Sequence, residues 1–125
     1  MKRRPLSRGP NRLGAAAAIA ATLCAGPAHA GINDGNSLYR YCNATIGAYV
    51  MFCFGYLDSV VNDMRSYGSV DDFSACLPDD LDDSTRRDVV VAFLERHPAE
   101  RRKDATALTA RALAEAYPCP PGPRR

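Results

Sequence analysis

The sequence predicts a small all-α domain, stapled by disulfides, with one long N-terminal helix and two to three shorter helices. Three observations predict this class: a removable apolar leader, four cysteines in the part that remains, and apolar residues that recur every three or four positions in three segments. An even number of cysteines in a short exported chain is typical of a disulfide-stabilised fold.

Residues 1–30 have the three regions of a secretory signal peptide. A basic start is followed by the apolar run Leu13–Gly26 and by the small-x-small cleavage sequence Ala28-His29-Ala30. The apolar run is shorter than the roughly 20 residues that a membrane span needs. We therefore expect cleavage after Ala30 and a periplasmic protein. The Arg3-Arg4 pair leaves the twin-arginine route open beside the general export route.

The charge of the chain changes sign when the leader is removed. Residues 31–125 contain eleven of the sixteen Lys and Arg but all fourteen Asp and Glu, which leaves a net charge of −3. Their length suits one domain with a small core. This charge gives no electrostatic support to a nucleic-acid partner, and none is expected.

Ser37 to Ser66 is predicted to form the long helix, because its apolar residues have the spacing of one helix face. Asn36 or Ser37 is expected to cap its start, and Gly68 to end it in a left-handed conformation. The apolar positions are Leu38, Cys42, Ile46, Tyr49, Val50, Cys53, Leu57, Val60, Val61 and Met64.

A second apolar stripe, on the opposite side of this helix, consists of Ala44, Ala48, Met51 and Gly55. A helix that is apolar on both sides is normally covered on both. Glycine inside a helix also costs about 1 kcal/mol relative to alanine, so a close contact there is expected. Two interpretations remain. The chain's own later helices cover this stripe, or a second copy of the chain covers it in a homodimer. For the homodimer, these four residues are the predicted seam.

The helical period breaks between Ser69 and Asp83, in a long connection that contains a strong acidic cluster. The cluster consists of Asp79, Asp80, Asp82 and Asp83. It lacks the glycine and the distal glutamate of a calcium loop, so no metal site is expected. Two interpretations remain: a solvated loop, or a loop that binds a partner protein. For the second, these four aspartates are the candidate partner-binding residues.

Two shorter helices are predicted to follow the connection. The Ser-Thr pair at 84–85 can cap the first of them, and Pro98 should stop it near His97 by disfavouring a helical conformation of the preceding residue. The last helix begins near Pro98 or Asp104 and runs to Tyr117, where prolines follow that cannot continue it.

Cys42, Cys53, Cys76 and Cys119 are predicted to form two disulfides. In one continuous helix, Cys42 and Cys53 would lie roughly 16 Å apart along the axis. The Cα atoms of a disulfide lie within about 7 Å of each other. We therefore predict that these two cysteines do not pair. The favoured pairing is Cys53 with Cys76 and Cys42 with Cys119, and the swapped pairing remains open.

No catalytic site and no cofactor are predicted. The cysteines are expected to be oxidised, and His97, the only histidine after the leader, is expected to be a half-buried residue at a helix end. A cysteine–histidine nucleophile is therefore not expected. Residues 31–125 also contain no glycine-rich phosphate loop, no GxSxG elbow and no HExxH pair. We predict that the protein is not an enzyme.

Four short motifs follow one another in a specific order. They are Cys53-Phe54-Gly55-Tyr56-Leu57-Asp58, Cys76-Leu77-Pro78, Phe93-Leu94-Glu95-Arg96-His97-Pro98, and Ala112-Leu113 followed by Tyr117-Pro118-Cys119. This order resembles that of the Rap/Tai immunity proteins of type VI secretion. The resemblance extends from Leu38 to Cys119.

The resemblance implies a helical periplasmic protein that protects its own cell by binding an injected peptidoglycan amidase and occluding its active site. It also implies a dimer, and structural roles for Cys53, Cys76 and Cys119. The acidic cluster is then expected to enter a basic or polar cleft of the cognate amidase. The alternative function is that of a small periplasmic acid-stress chaperone.

Overall fold

Four α-helices make up most of the part of the chain that the structure describes. The structure is a computed structural model and describes Gly9 and residues 31–122. Apart from Gly9, the predicted signal peptide and its cleavage sequence lie outside the described residues. The helices are α1 (Gly35–Cys42), α2 (Gly47–Tyr67), α3 (Asp83–Arg96) and α4 (Ala105–Ala116), with a 3₁₀ turn at Pro98–Glu100. In residues 31–122 the only β-type pairings are two isolated bridges, which confirms the predicted all-α class.

The prediction of one helix from Ser37 to Ser66 is wrong, because the chain turns at residues 43–46 and forms α1 and α2. The Asn43 N–H donates to the Tyr39 carbonyl at 2.9 Å and closes α1. Ile46 has an extended backbone (φ −79°, ψ 121°) and starts α2 without a side-chain cap. Apolar spacing continues through the turn because both helices face the same core, so the spacing alone does not reveal the reversal.

Three of the four helices are capped at their N-termini by an aspartate: α1 by Asp34, α3 by Asp82 and α4 by Asp104. Ser37, one of the two predicted caps, instead completes a capping box with Asp34. Its N–H donates to the Asp34 carboxylate at 2.8 Å, and its hydroxyl accepts the Asp34 N–H at 3.0 Å. The predicted cap at 84–85 is also wrong. A carboxylate is favoured at this position because it accepts a backbone N–H and complements the helix dipole.

The C-terminal ends of α2, α3 and α4 agree with the predictions. Gly68 has φ 82°, a left-handed conformation that glycine adopts without strain, and its N–H donates to the Met64 carbonyl at 2.9 Å. α3 ends at Arg96, before Pro98, and α4 ends before Tyr117. These helices therefore end where the sequence favours a non-helical backbone.

The helices pack around two adjacent clusters of buried side chains. The first cluster joins all four helices, and Leu38, Leu57 and Phe93 are fully buried in it. The second lies between the C-terminal half of α2 and α4, and contains Val61 and Leu113. One side of α2 therefore faces the core, and its other side faces the solvent.

α1 and α4 start side by side. An antiparallel bridge joins Asp34 to Asp104, directly before the two helices. A Cβ atom on Gly35 would lie 2.6 Å from Leu108 Cδ1 and 2.8 Å from Arg101 Cα. The close approach of the two segments therefore requires glycine at this position.

Candidate protein-binding surfaces

Two disulfides connect the four cysteines, in the pairing Cys42–Cys53 and Cys76–Cys119. The prediction that all four are oxidised is confirmed. The exclusion of Cys42–Cys53 is wrong, and so is each pairing that the sequence analysis retained. The turn at 43–46 brings the Cα atoms of Cys42 and Cys53 to 5.1 Å, where a continuous helix would hold them roughly 16 Å apart.

Residues 69–82, between α2 and α3, form a segment without regular helix that we call the acidic connection. Near its start, Val70 and Phe73 exchange backbone hydrogen bonds of 3.0 and 2.9 Å across a two-residue turn. The turn residues, Asp71 and Asp72, have φ values of 47° and 65°. Aspartate tolerates this left-handed region better than most residues. The turn holds two carboxylates at the surface.

The four predicted partner-binding aspartates have different roles in the fold. Asp79 and Asp80 are exposed in a turn of the acidic connection. Asp82 caps α3, and hydrogen bonds from the Ser84 hydroxyl and from Thr85 hold its pKa far below the ordinary value of 3.8. Asp83 lies 3.3 Å from the guanidinium of Arg86. Asp79 and Asp80 are therefore the members whose carboxylates the fold leaves exposed in a turn.

Arg86, which the sequence analysis did not identify, fixes the end of the acidic connection. Its side chain is buried, and Nη1 lies 2.9 Å from the Asp58 carboxylate on α2. Nη2 donates to the Leu81 carbonyl at 3.2 Å. Arg65 binds the same connection by donating to the Pro78 carbonyl at 2.8 Å. No local sequence pattern predicts these contacts, since in each one the arginine lies on a helix and its partner lies on another element of the fold.

The predicted dimer seam lies on the solvent side of α2. Ala48, Met51 and Gly55 are exposed, and Ala44 is half-buried in the turn before the helix. A Cβ atom on Gly55 would have no neighbour within 4 Å. Among the described residues, the later helices leave these three positions uncovered, so the expectation that they cover the whole stripe is wrong.

Large apolar side chains extend this exposed surface. Met51 is 65% exposed, Ile46 60%, Phe52 49% and Tyr49 47%. The assignment of Ile46 and Tyr49 to the buried face is wrong: Ile46 lies in the turn before α2, and Tyr49 lies in the first turn of α2, where it stays partly exposed. The Tyr49 and Phe52 rings pack on Tyr41, with centroids 5.2 and 5.1 Å away. We call this surface the apolar α2 face, which comprises Ile46, Ala48, Tyr49, Met51, Phe52 and Gly55.

His97 is half-buried at the end of α3, as predicted. Its Nδ1 lies 3.2 Å from a Glu100 oxygen, and its ring packs on Phe93 at a centroid distance of 4.4 Å. A hydrogen bond from Lys103 and the nearby charge of Arg111 lower the pKa of Glu100. These contacts give His97 a structural role.

Within residues 31–122, no three His, Cys, Asp or Glu side chains are grouped closely enough to hold a metal ion. None of the described helices combines the length and the apolar character that crossing a membrane requires.

The comparison with protein families gives one match. A family model described as Rap1a immunity proteins matches residues 34–119. The matched region begins at the cap of α1, contains all four helices and ends at the last cysteine. No curated protein and no solved structure shows significant similarity to the chain.

Proposed function

The chain belongs to the Rap1a immunity protein family, and from that membership we propose that it neutralises a peptidoglycan amidase toxin of type VI secretion. It acts in the periplasm, where it binds the toxin tightly and occludes its active site. The main support for the proposal is the family match over residues 34–119, a region that contains α1 to α4 and both disulfides. The order of cysteine and His-Pro motifs supports the same conclusion.

Action by binding is supported by how the reactive side chains are used. All four cysteines between α1 and the C-terminal segment are bonded in disulfides. His97 is engaged by Glu100 and Phe93. A nucleophile with an adjacent base needs such groups to be free. The described residues therefore favour inhibition of a partner over catalysis.

We assign the toxin contact to Asp79, Asp80, Asp82 and Asp83, at the end of the acidic connection and the start of α3. Two arginines and one disulfide hold this region in place. A segment that is already ordered loses less conformational entropy when it binds. Its negative charge attracts a positively charged cleft and accelerates association. Asp79 and Asp80 are the members that we expect to touch the toxin directly.

We assign the apolar α2 face to a second copy of the chain. In a two-fold dimer the same surface of both subunits meets, so one exposed helix face covers itself. The small side chains of Ala48 and Gly55 allow two helices to approach closely, and Met51 supplies apolar area that is 65% exposed in the single chain. Ala44 lies at the edge of this seam.

The test of the proposed function uses residues 31–125 with both disulfides oxidised and the amidase effector secreted by the same bacterium. We expect stoichiometric inhibition of that amidase on isolated peptidoglycan at neutral pH. The matched control is the Asp79→Lys/Asp80→Lys variant, which should inhibit much more weakly. An amidase that remains fully active with excess protein contradicts the proposal. Binding of many unrelated proteins only after acidification favours an acid-stress chaperone instead.

A further inference from the structure

The two disulfides lie in opposite surroundings. Cys42 is 2% exposed and Cys53 is fully buried, and both belong to the core cluster that joins the four helices. Cys76 and Cys119, in contrast, are both exposed. A reductant can reach the second bond at the surface of the folded protein, whereas the first becomes accessible only when the core opens.

The exposed bond joins two segments that otherwise share one backbone hydrogen bond and the packing of Ala75, Leu77 and Tyr117 against the second buried cluster. Cys76 lies in the acidic connection, and Cys119 follows the last residue of α4 by three positions. One backbone hydrogen bond accompanies the disulfide, from the Cys76 N–H to the Tyr117 carbonyl at 2.9 Å. Residues 74–78 form no regular helix or strand, and of these only Ala75 and Leu77 are half-buried.

We propose that Cys76–Cys119 is a redox-sensitive latch on the acidic connection, which a dithiol reductant opens while Cys42–Cys53 stays intact. Opening frees residues 74–78 and 117–122 from each other. The helical core keeps its buried disulfide and both clusters of buried side chains. The two bonds therefore have separate roles, since one holds the core and the other holds a surface segment.

The reduction proceeds by thiol–disulfide exchange. One thiolate of the dithiol attacks a sulfur of the Cys76–Cys119 bond, which breaks as a mixed disulfide forms, and the other cysteine leaves and takes up a proton. The second thiol of the reductant then attacks the mixed disulfide. The reductant leaves as its own disulfide, and two electrons and two protons have passed to Cys76 and Cys119.

The consequence for toxin binding rests on the proposed function. If the acidic connection contacts the toxin, an open latch increases the entropy that binding must remove, and dissociation becomes faster. The chemical part of the proposal is independent of the toxin. The two parts are therefore tested separately.

The first test is a dithiothreitol titration of residues 31–125, with timed acid quenching, N-ethylmaleimide labelling and peptide mass analysis. We expect Cys76 and Cys119 to be labelled at a reductant concentration about tenfold or more below that needed for Cys42 and Cys53. At that point helical circular dichroism should be retained, and the Cys76 N–H, which donates to the Tyr117 carbonyl, should exchange faster. Reduction of both bonds in one step, or of Cys42–Cys53 first, overturns the proposal.

Two variants serve as matched controls. Cys76→Ser/Cys119→Ser should keep its helical content and show the faster exchange of the N–H at position 76 without any reductant. Cys42→Ala/Cys53→Ala should leave that exchange at the wild-type rate wherever it folds. If either variant fails to fold, the titration of the wild-type protein still tests the proposal. If opening the latch unfolded the protein, Cys42–Cys53 would be exposed and reduced in the same step. The oxidised protein alone tests amidase inhibition, so failure of the toxin assignment is distinguishable from failure of the latch.

Discussion

Arg86 Nη1 on α3 lies 2.9 Å from Asp58 Oδ1 on α2, and this contact joins a buried guanidinium to a largely exposed carboxylate. Asp58 ends the Cys53–Asp58 motif, so the motif connects the core disulfide to the start of α3. Removing one partner of such a pair leaves the buried charge with fewer acceptors.

The Asp58→Asn variant should therefore be less stable. We expect its free energy of unfolding to fall by about 1–2 kcal/mol, since Arg86 keeps Asp83 and the Leu81 carbonyl as partners. Urea unfolding at neutral pH measures the change. Asp63→Asn, an exposed carboxylate on the same helix, is the control and should stay within about 0.5 kcal/mol of wild type. Equal effects of the two variants would disprove a role for the Arg86 contact.

Gly35→Ala should destabilise the fold where α1 meets α4. The added Cβ would lie 2.8 Å from the Arg101 backbone, which cannot move away as a side chain can. We expect a loss of about 1–3 kcal/mol in thermal or urea unfolding. Gly47→Ala makes the same change at the first residue of α2, where a Cβ meets nothing within 4 Å, and should not destabilise. If the Gly35→Ala protein is as stable as the Gly47→Ala protein, the start of α1 can move away from Arg101 without a loss of stability, and the prediction is wrong.

The cap of α3 should make stability depend on acidic pH. The pKa of Asp82 is lowered in the folded protein, mainly by the Ser84 hydroxyl and the Thr85 N–H. The ionised carboxylate therefore stabilises the fold above the ordinary aspartate pKa of 3.8, and this contribution declines as the pH falls from there toward the lowered pKa of the folded protein.

Replacement of Asp82 by alanine tests this dependence. The stability difference between wild type and Asp82→Ala should be largest above about pH 5 and should shrink as the pH falls below about 4. Asp79→Ala removes a charge from the same connection without removing a cap, and serves as the control. A difference that stays constant from pH 7 to the acidic limit of folding would argue against the carboxylate as the stabilising group.

Neutralising the two aspartates of the exposed turn should slow toxin association. We expect Asp79→Asn/Asp80→Asn to lower the association rate constant by about tenfold at low salt and to make it less dependent on salt. Stopped-flow or surface-plasmon measurements at two salt concentrations follow both effects. Asp63→Asn/Glu95→Gln removes the same charge elsewhere and should change the rate little. If both double variants associate equally fast, the contact lies on another surface.

The apolar α2 face should hold a dimer together. Light scattering of residues 31–125 should give twice the mass of one chain, and Met51→Glu should give the mass of a single chain. Helical content should not change, because Met51 is 65% exposed in the single chain. Asn62→Glu introduces the same charge farther along α2 and should leave the dimer intact. A wild-type protein that remains monomeric at high concentration refutes the seam.

The helices were predictable where one residue decides the local backbone. Gly68 ends α2 and Pro98 stops α3, because left-handed backbone and a missing N–H are local properties. The reversal at 43–46 contains neither glycine nor proline. Asn43 and Thr45 are weak helix formers but Ala44 is a strong one, so propensity does not outweigh the regular apolar spacing on either side.

The disulfide pairing failed for the same reason. The distance of roughly 16 Å between Cys42 and Cys53 is correct for a straight helix, but the chain between them is not one. The acidic cluster was found because four carboxylates stand out in sequence. Its division into a cap, an ion pair and two exposed members depends on Ser84, Thr85 and Arg86, which act only once α3 has formed.

Among the four cysteines of residues 31–125, each pairs with an adjacent cysteine in the sequence, and this order bears on how the protein matures. A chain that emerges with its N-terminus first, from a ribosome or an export channel, presents Cys42 and Cys53 before Cys76 has appeared. An oxidase that joins cysteines in their order of emergence therefore makes both native bonds directly. We therefore expect the four cysteines of residues 31–125 to reach their native pairing without an isomerase that rearranges disulfides.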